Sequence, residues 1–297
     1  KWSHLIAEFC TQDQKERFLK PFLEDHTYVI GSASTEPNAG SDNRYPPPDA
    51  PKSGWRLRAE RRGDEWLLNG EKTFIANGSV GKLFFVSTRT NPEVSVREGT
   101  TVFLVPHDTP GFRVGKLFNK SGWRFYQNAE LIFEDACVPH ANLVGEIDGG
   151  FNLRSGTSQP FGDFELSANA LGVCDAAVES AMQYVKGAWP DARYFFDNQT
   201  IQLKLSEMHM LTEALRSYVM RVAWEHDRKL PSTNAGFVMN FSTDVIQEVT
   251  QLNMELHGAS GFTMDAHANK LVRDGIIWTH LAGDASQRLK AMRRFGT

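Results

Sequence analysis

The sequence predicts an α+β protein, a central antiparallel β-barrel or sandwich domain followed by a C-terminal four-helix bundle. Three observations predict it. From about residue 27 to 150, short apolar or alternating runs are separated by turn residues, which is the pattern of half-buried strands. From Phe164 onward the apolar residues recur at helical spacing. Strands are grouped before helices, whereas a parallel sheet needs strand and helix to alternate. The boundaries that follow are 1–26 for the end of an N-terminal helical domain, 27–150 for the β-domain and 151–297 for the helical bundle domain.

The opening stretch "EFCTQDQKERFLKPFLED" (8–25) reads as the end of a helical region, and the first residue is Lys1 rather than Met. The expectation is that an N-terminal portion has been removed, is missing from this chain, or is supplied by another subunit. The runs "YVIGSAST", "WRLRAERR", "EWLLNG", "KTFIANG", "KLFFVSTRT", "TVFLVP" and "AELIFED" then read as strands. Asn-Gly pairs at 69–70 and 77–78 are turn signals that bracket one of them. The insert 42–55 holds Pro46, Pro47, Pro48 and Pro51, the composition of a polyproline-like surface loop.

The helical part is read from spacing. Leu166, Ala170, Val173, Ala177 and Ala181 form one apolar stripe, and Ile201, Leu205, Met208, Leu215 and Val222 a second. Phe237, Phe241, Val245, Val249, Leu252 and Leu256 form a third. Gly187, Pro190 and Pro231 punctuate these stretches. The segment "LVRDGIIWTHLAGDASQR" (271–288) begins as a fourth amphipathic helix and breaks at Ala282-Gly283.

Bulk properties narrow the function. With 297 residues, 41% hydrophobic and 23% charged, the chain is long enough for two cores and too apolar for disorder. A formal net charge of −4 gives no footprint for nucleic acid or an anionic membrane. No apolar run approaches a membrane span, and the first residues are not a signal peptide, so a cytoplasmic protein is expected. Cys10, Cys137 and Cys174 are far apart with no CxxC, so they read as small buried apolar residues and not as disulfides or a metal site.

One polar loop carries the candidate chemistry. In "STEPNAGSD" (34–42), Thr35, Ser41, Gly40 and several backbone amides crowd between two strand-like runs. Hydroxyls and amide donors with small residues suit a diphosphate or the hydrogen-bonding edge of a flavin; a solvated loop is the alternative.

The order "TEPNAGSD", "GDEWLLNGEKTFIANG" (63–78), "GFRVGKLFNKSGWRFYQNAELIFEDACVPHANLVGE" (111–146), "LHGASGF" (256–262) and "KLVRDGIIW" (270–278) resembles the acyl-CoA dehydrogenase family. The resemblance runs from about Glu8 to the C-terminus. It implies a helical N-terminal domain, here largely absent, a β-domain and a four-helix bundle. It also implies FAD held between the last two, partly across a subunit interface of a homo- or hetero-oligomer, usually a tetramer. By that resemblance Thr35 bonds the flavin pyrimidine edge, Ser41 the diphosphate, and Phe74 lies against the ring system. Ala76 stands where relatives carry a Thr or Ser that bonds flavin N5. His257, Gly258 and Gly261 belong to a glycine loop that approaches a neighbouring subunit's cofactor. Arg193 is the candidate for the arginine that reaches that cofactor's diphosphate, although the usual Arg-x-x-Phe-Gly pattern is missing; a surface arginine is the alternative.

The resemblance also implies a glutamate base that removes the α-proton of an acyl-CoA thioester while hydride leaves Cβ for flavin N5. The position directly before Gly283 is Ala282, which cannot take a proton. Relatives that lack a glutamate there place it on the first bundle helix, at the position of Gly162. Glu165 lies one helical turn on, with Asp163 between, and is the candidate catalytic base; a pair of acids favoured by a helix N-terminus is the alternative. Asp284, where relatives have a threonine near the cofactor, is a cofactor-side candidate or a capping residue. His257 and His280 read as packing residues. Relatives' Ser and Thr of the "R-x-S-x-T" pattern are Tyr126 and Asn128 here.

Three functions are compatible with this pattern. The first is an FAD-dependent acyl-CoA dehydrogenase of fatty acid metabolism that passes electrons to an electron-transfer flavoprotein. The second is a flavin-dependent monooxygenase on the same fold, motivated by Ala76 and Ala282. The third is a non-catalytic, FAD-holding subunit of a heteromeric dehydrogenase. No metal is expected.

Overall fold

The structure, a computed structural model, describes residues 2–40, 52–155, 158–187, 195–230, 234–281, 288–289, 291–292 and 295, with the side chains of Asn152 and of 154–163 excluded. Two compact units are present. One comprises residues 1–120 and 124–158, the other residues 121–123 and 159–297.

In the first unit, helix α1 (Trp2–Phe9) and the short helical turns α2 (Gln12–Gln14) and α3 (Lys20–Glu24), with a π-turn between them, precede eight strands. These are β1 (Ile30–Ala33), β2 (Arg58–Arg62), β3 (Glu65–Ala76), β4 (Leu83–Arg89), β5 (Thr100–Pro106), β6 (Phe112–Leu117), β7 (Asn128–Pro139) and β8 (Leu143–Val144). They form one sheet in the order β6-β7-β3-β2-β4-β5-β8, with β1 beside β4. Most neighbours are antiparallel, but β1–β4 and the single β2–β4 pairing are parallel. Alternating hydrophobicity does not report strand direction, so the sequence could not distinguish a mixed sheet from an antiparallel one.

Both faces of the sheet centre are covered. On β4 and β5, Phe84, Val86, Phe103 and Val105 face one cluster with Trp66, Leu68, Leu131 and Phe133. Leu83, Phe85, Val102 and Leu104 face the other, which Leu5, Ile6, Cys10 and Phe18 complete. That is why "KLFFVSTRT" and "TVFLVP" carry continuous apolar runs where β7 alternates. The N-terminal turns are pinned beneath them. Thr11 and Gln14 form a reciprocal capping box, and the buried Gln14 amide donates to Ala141 O and Leu143 O at 2.8 and 2.7 Å.

Asn69-Gly70 is not a hairpin turn as its composition suggests. It lies inside the continuous strand β3 at a register shift, opposite the extra residue of a bulge in β7, where Gly70 takes φ +134°. A Cβ on Gly70 would stand 3.0 Å from Leu57 Cα, so close backbone approach and the positive φ both select glycine. Asn77-Gly78 does follow the strand end, with Asn77 in the left-handed region.

The second unit contains long helices α5 (Ser158–Gly187), α6 (Gln199–Asp227) and α7 (Asn234–Leu256), which follow α4 (Gly150–Ser155) of the first unit. Shorter helices α8 (Gly258–Gly261), α9 (His267–Gly275) and α10 (Trp278–Leu281) come after them. Ala170, Ala177, Ala181, Ile201, Leu205, Met208, Leu215, Val222, Val245, Val249, Leu252 and Leu256 all enter one core, so the three predicted stripes are its inner faces except at Phe237, which instead meets Phe295. The fourth helix is represented by α9 and α10, and the break at Ala282-Gly283 lies outside the described residues. Among the described residues no helix is long and apolar enough to cross a membrane.

Candidate functional site

The polar loop and the end of β3 meet in the first unit. Thr73 N donates to Thr35 O at 2.8 Å, which fixes the half-buried Thr35 against the strand that carries Phe74 and Ala76. Phe74 adopts φ +54° at a second bulge, between the pairs Lys72–Leu131 and Ile75–Ala129. Its ring is 57% exposed and stacks on Phe118 with centroids 4.3 Å apart. Ala76 is half-buried and pairs with Asn128 across the sheet. Of the residues assigned to the cofactor by resemblance, Thr35, Phe74 and Ala76 therefore stand together, and Ser41 lies outside the described residues.

Two supports of this cluster escaped the sequence reading. Glu36, beside Thr35, is buried, and its carboxylate accepts from Lys72 Nζ at 2.7 Å, Arg56 N at 2.6 Å and Leu57 N at 3.1 Å. Lys72 is fully buried and also donates to Ser34 O. The signal existed in the strand's period, because Lys72 shares parity with the inward-facing Trp66 and Leu68. The second support is Asn128, whose Nδ2 donates to Phe74 O at 2.7 Å.

In the second unit, α5 begins at Ser158, so Glu165 lies two turns into the helix and not in its first turn. A helix dipole acts mainly on the first turn, which weakens the alternative reading of Glu165 as a terminal charge. Glu165 is exposed, and the carbonyl of the next residue, Leu166, accepts from Trp278 Nε1 at 3.3 Å. The turn α10, which leads to the vacant position 282, is thus seated against α5 beside Glu165. Ala282, Gly283, Asp284 and Arg193 lie outside the described residues, as does the side chain of Asp163.

The motif "KLVRDGIIW" anchors this corner. Asp274 accepts from Trp123 N at 2.7 Å, Arg273 donates to Ser121 O at 2.6 Å, and the Trp123 and Trp278 rings meet edge to face. Gly122 between them has no room for a side chain, since a Cβ would fall 1.9 Å from Arg273 O.

The glycine loop follows α7. His257 Nδ1 is bonded to Asn253 O at 2.8 Å and its ring lies 4.1 Å from that of Tyr184. Gly258 takes φ +58° and Gly261 is buried. An open groove beside the loop is lined by Glu179, Gln183, Tyr184, His257 and His267. His257 is a hydrogen-bonded, stacked residue, and His280 is exposed on α10.

Residues 31–136 match the acyl-CoA dehydrogenase middle domain, and residues 161–294 match the acyl-CoA dehydrogenase C-terminal domain. An acyl-CoA dehydrogenase of Bacillus subtilis (strain 168) is 32% identical over 273 residues, 92% of this chain and 69% of that protein. The chain belongs to the acyl-CoA dehydrogenase family. Acyl-CoA dehydrogenases are flavoprotein oxidoreductases. The crystal structure of an acyl-CoA dehydrogenase from Geobacillus kaustophilus is similar with a TM-score of 0.91 at 28% identity, over 99% of this chain and 76% of that one. Butyryl-CoA dehydrogenase from Megasphaera elsdenii is similar with a TM-score of 0.87 at 30% identity, over 99% and 74%.

Proposed function

We propose that this member of the acyl-CoA dehydrogenase family binds FAD and desaturates an acyl-CoA thioester between Cα and Cβ. The observation that carries the reading is the junction of Thr35, Phe74 and Ala76 at one strand end, on a chain that matches both family domains. A flavin ring needs an apolar surface against its face and polar groups along its edge. The exposed Phe74 ring, backed by Phe118 and adjacent to Thr35, fits that demand. FAD, when bound, supplies the two-electron acceptor for the hydride that leaves Cβ.

The chain's own residues do the remaining work in this reading. Thr35 hydrogen-bonds the pyrimidine edge, Ser41 the diphosphate, and Phe74 covers the ring. Glu165 is the base, and its carboxylate takes the α-proton to become a carboxylic acid, which its exposure lets it release to solvent afterwards. The α C–H is weakly acidic, so the base must be aimed at it, and a carboxylate on a rigid helix is held in one direction. The loop around His257, Gly258 and Gly261, with Arg193, faces the cofactor of a neighbouring subunit in a tetramer, Asp284 lies on the cofactor side, and electrons leave to an electron-transfer flavoprotein.

Ala76 favours a second reading, flavin-dependent oxygen chemistry, because no hydroxyl stands where relatives bond flavin N5. One experiment separates the two. Purified protein loaded with FAD is titrated anaerobically with butyryl-CoA and longer or branched thioesters, and loss of the visible flavin band supports dehydrogenation. A band that no thioester changes, or a sample left colourless after gel filtration with FAD, overturns the proposal.

A further inference from the structure

Phe74 occupies a conformation that a phenylalanine rarely adopts, with φ +54° on the bulge of β3. Left-handed backbone at a bulky residue persists only where its surroundings over-determine it. The bulge also leaves Phe74 without a paired residue on β7. A side chain reaches its carbonyl. Asn128 Nδ2 donates to Phe74 O at 2.7 Å, and Asn128 Oδ1 accepts from Lys120 Nζ at 2.5 Å.

This arrangement fixes the carboxamide without ambiguity. An ammonium only donates and a backbone carbonyl only accepts, so oxygen must face Lys120 and nitrogen must face Phe74. Lys120 is itself held, since it also donates to Tyr126 O and lies 5.2 Å above the Tyr126 ring. A charged donor on Oδ1 polarises the amide and strengthens the bond its N–H makes to Phe74. On the opposite side, Thr73 N is tied to Thr35 O, so the strained residue is gripped from two directions.

We infer that Asn128, braced by Lys120, is the positioning residue that holds Phe74 where it can cover the flavin. The inference rests on the flavin reading above. The side chain must accept at one end and donate at the other across the width of the bulge. The single short hydroxyl of a threonine offers one polar atom for both tasks, and an aspartate offers no donor.

Asn128→Asp isolates the effect, because it keeps size and the contact to Lys120 while deleting the donor to Phe74. Two readouts are taken against unchanged thermal unfolding. In the FAD-free protein, hydrogen exchange at the amides of residues 73–76 becomes about tenfold faster or more, while residues 129–133 keep their protection. In the FAD titration, the dissociation constant rises about tenfold or more, and in a Phe74→Gly background Asn128→Asp adds nothing, since glycine takes positive φ freely and no ring remains to be placed. Unchanged exchange overturns the inference, whatever FAD does. Faster exchange with unchanged FAD affinity, or an equal loss in the Phe74→Gly background, also overturns it. Failure of the unsubstituted protein to bind FAD is a different result, which removes the functional reading itself.

Discussion

Lys72 Nζ and Glu36 Oε1 lie 2.7 Å apart in the interior of the first unit, with Lys72 fully buried and Glu36 at 6% exposure. The carboxylate also takes two backbone amides, so it joins the loop of Thr35 to residues 56–57 and to β3. Removing one partner of such a pair leaves an uncompensated charge away from water. Lys72→Met is therefore expected to cost about 3–5 kcal/mol of unfolding free energy, and Lys72→Met with Glu36→Gln measurably less. Urea unfolding checks both, and a Lys72→Met loss below about 1 kcal/mol, the range of surface pairs, contradicts the assignment.

Glu165 is the next prediction. If its carboxylate takes the α-proton, Glu165→Gln keeps the helix and the side-chain volume and removes only the base. General-base catalysis contributes about a hundredfold to ten-thousandfold, so flavin reduction by thioester slows by that factor while FAD binding stays unchanged. Stopped-flow reduction measures it. A rate within about threefold of the unsubstituted protein, small against that contribution, excludes Glu165 as the base.

The division of the chain into strands and helices was legible because burial imposes periods of two and 3.6 residues, and Trp66, Leu68 and the α7 stripe obey them. Thr35 stood out in its polar loop, but the roles given to Thr35, Phe74 and Ala76 came only through family resemblance, since nothing in local spacing says that residue 35 touches residue 73. Bulges hid the rest. Asn69-Gly70 has the composition of a turn, yet its role depends on the approach of Leu57, the residue before β2, a tertiary fact. The partnership of Lys120, Asn128 and Phe74 likewise depends on register across β3 and β7, which composition does not encode.

Cys174 links burial to pH. Desolvation, with a smaller contribution from Asp175, pushes its thiol from 9.0 up to about 12. The folded chain keeps this proton where the unfolded chain loses it, so the contribution is full below pH 9.0 and is lost as pH rises toward about 12. Across that window stability falls by up to about 1.4 kcal/mol per pH unit from this thiol. Unfolding measured at several pH values above neutrality should show a shallower decline for Cys174→Ala than for the unsubstituted protein. Parallel slopes contradict the assignment.

Asn253 offers a stabilising substitution. It is fully buried on α7 in the bundle, and neither its Oδ1 nor its Nδ2 has a hydrogen-bond partner among the described residues. A buried polar group left without a partner costs about 1–3 kcal/mol, and replacing it by an apolar group of similar size removes that cost. Asn253→Leu should therefore raise the unfolding free energy by about that amount, offset in part if the added methyl groups crowd neighbouring side chains. Asn253→Ala separates the two effects, because it removes the amide and adds no bulk. His257 is bonded to the Asn253 backbone carbonyl and not to its side chain, so the glycine loop keeps its anchor in both variants. Urea midpoints decide the matter: a rise in at least one variant with FAD affinity unchanged is expected, and a fall in both means that the amide is satisfied in solution, by water or by a residue outside those described.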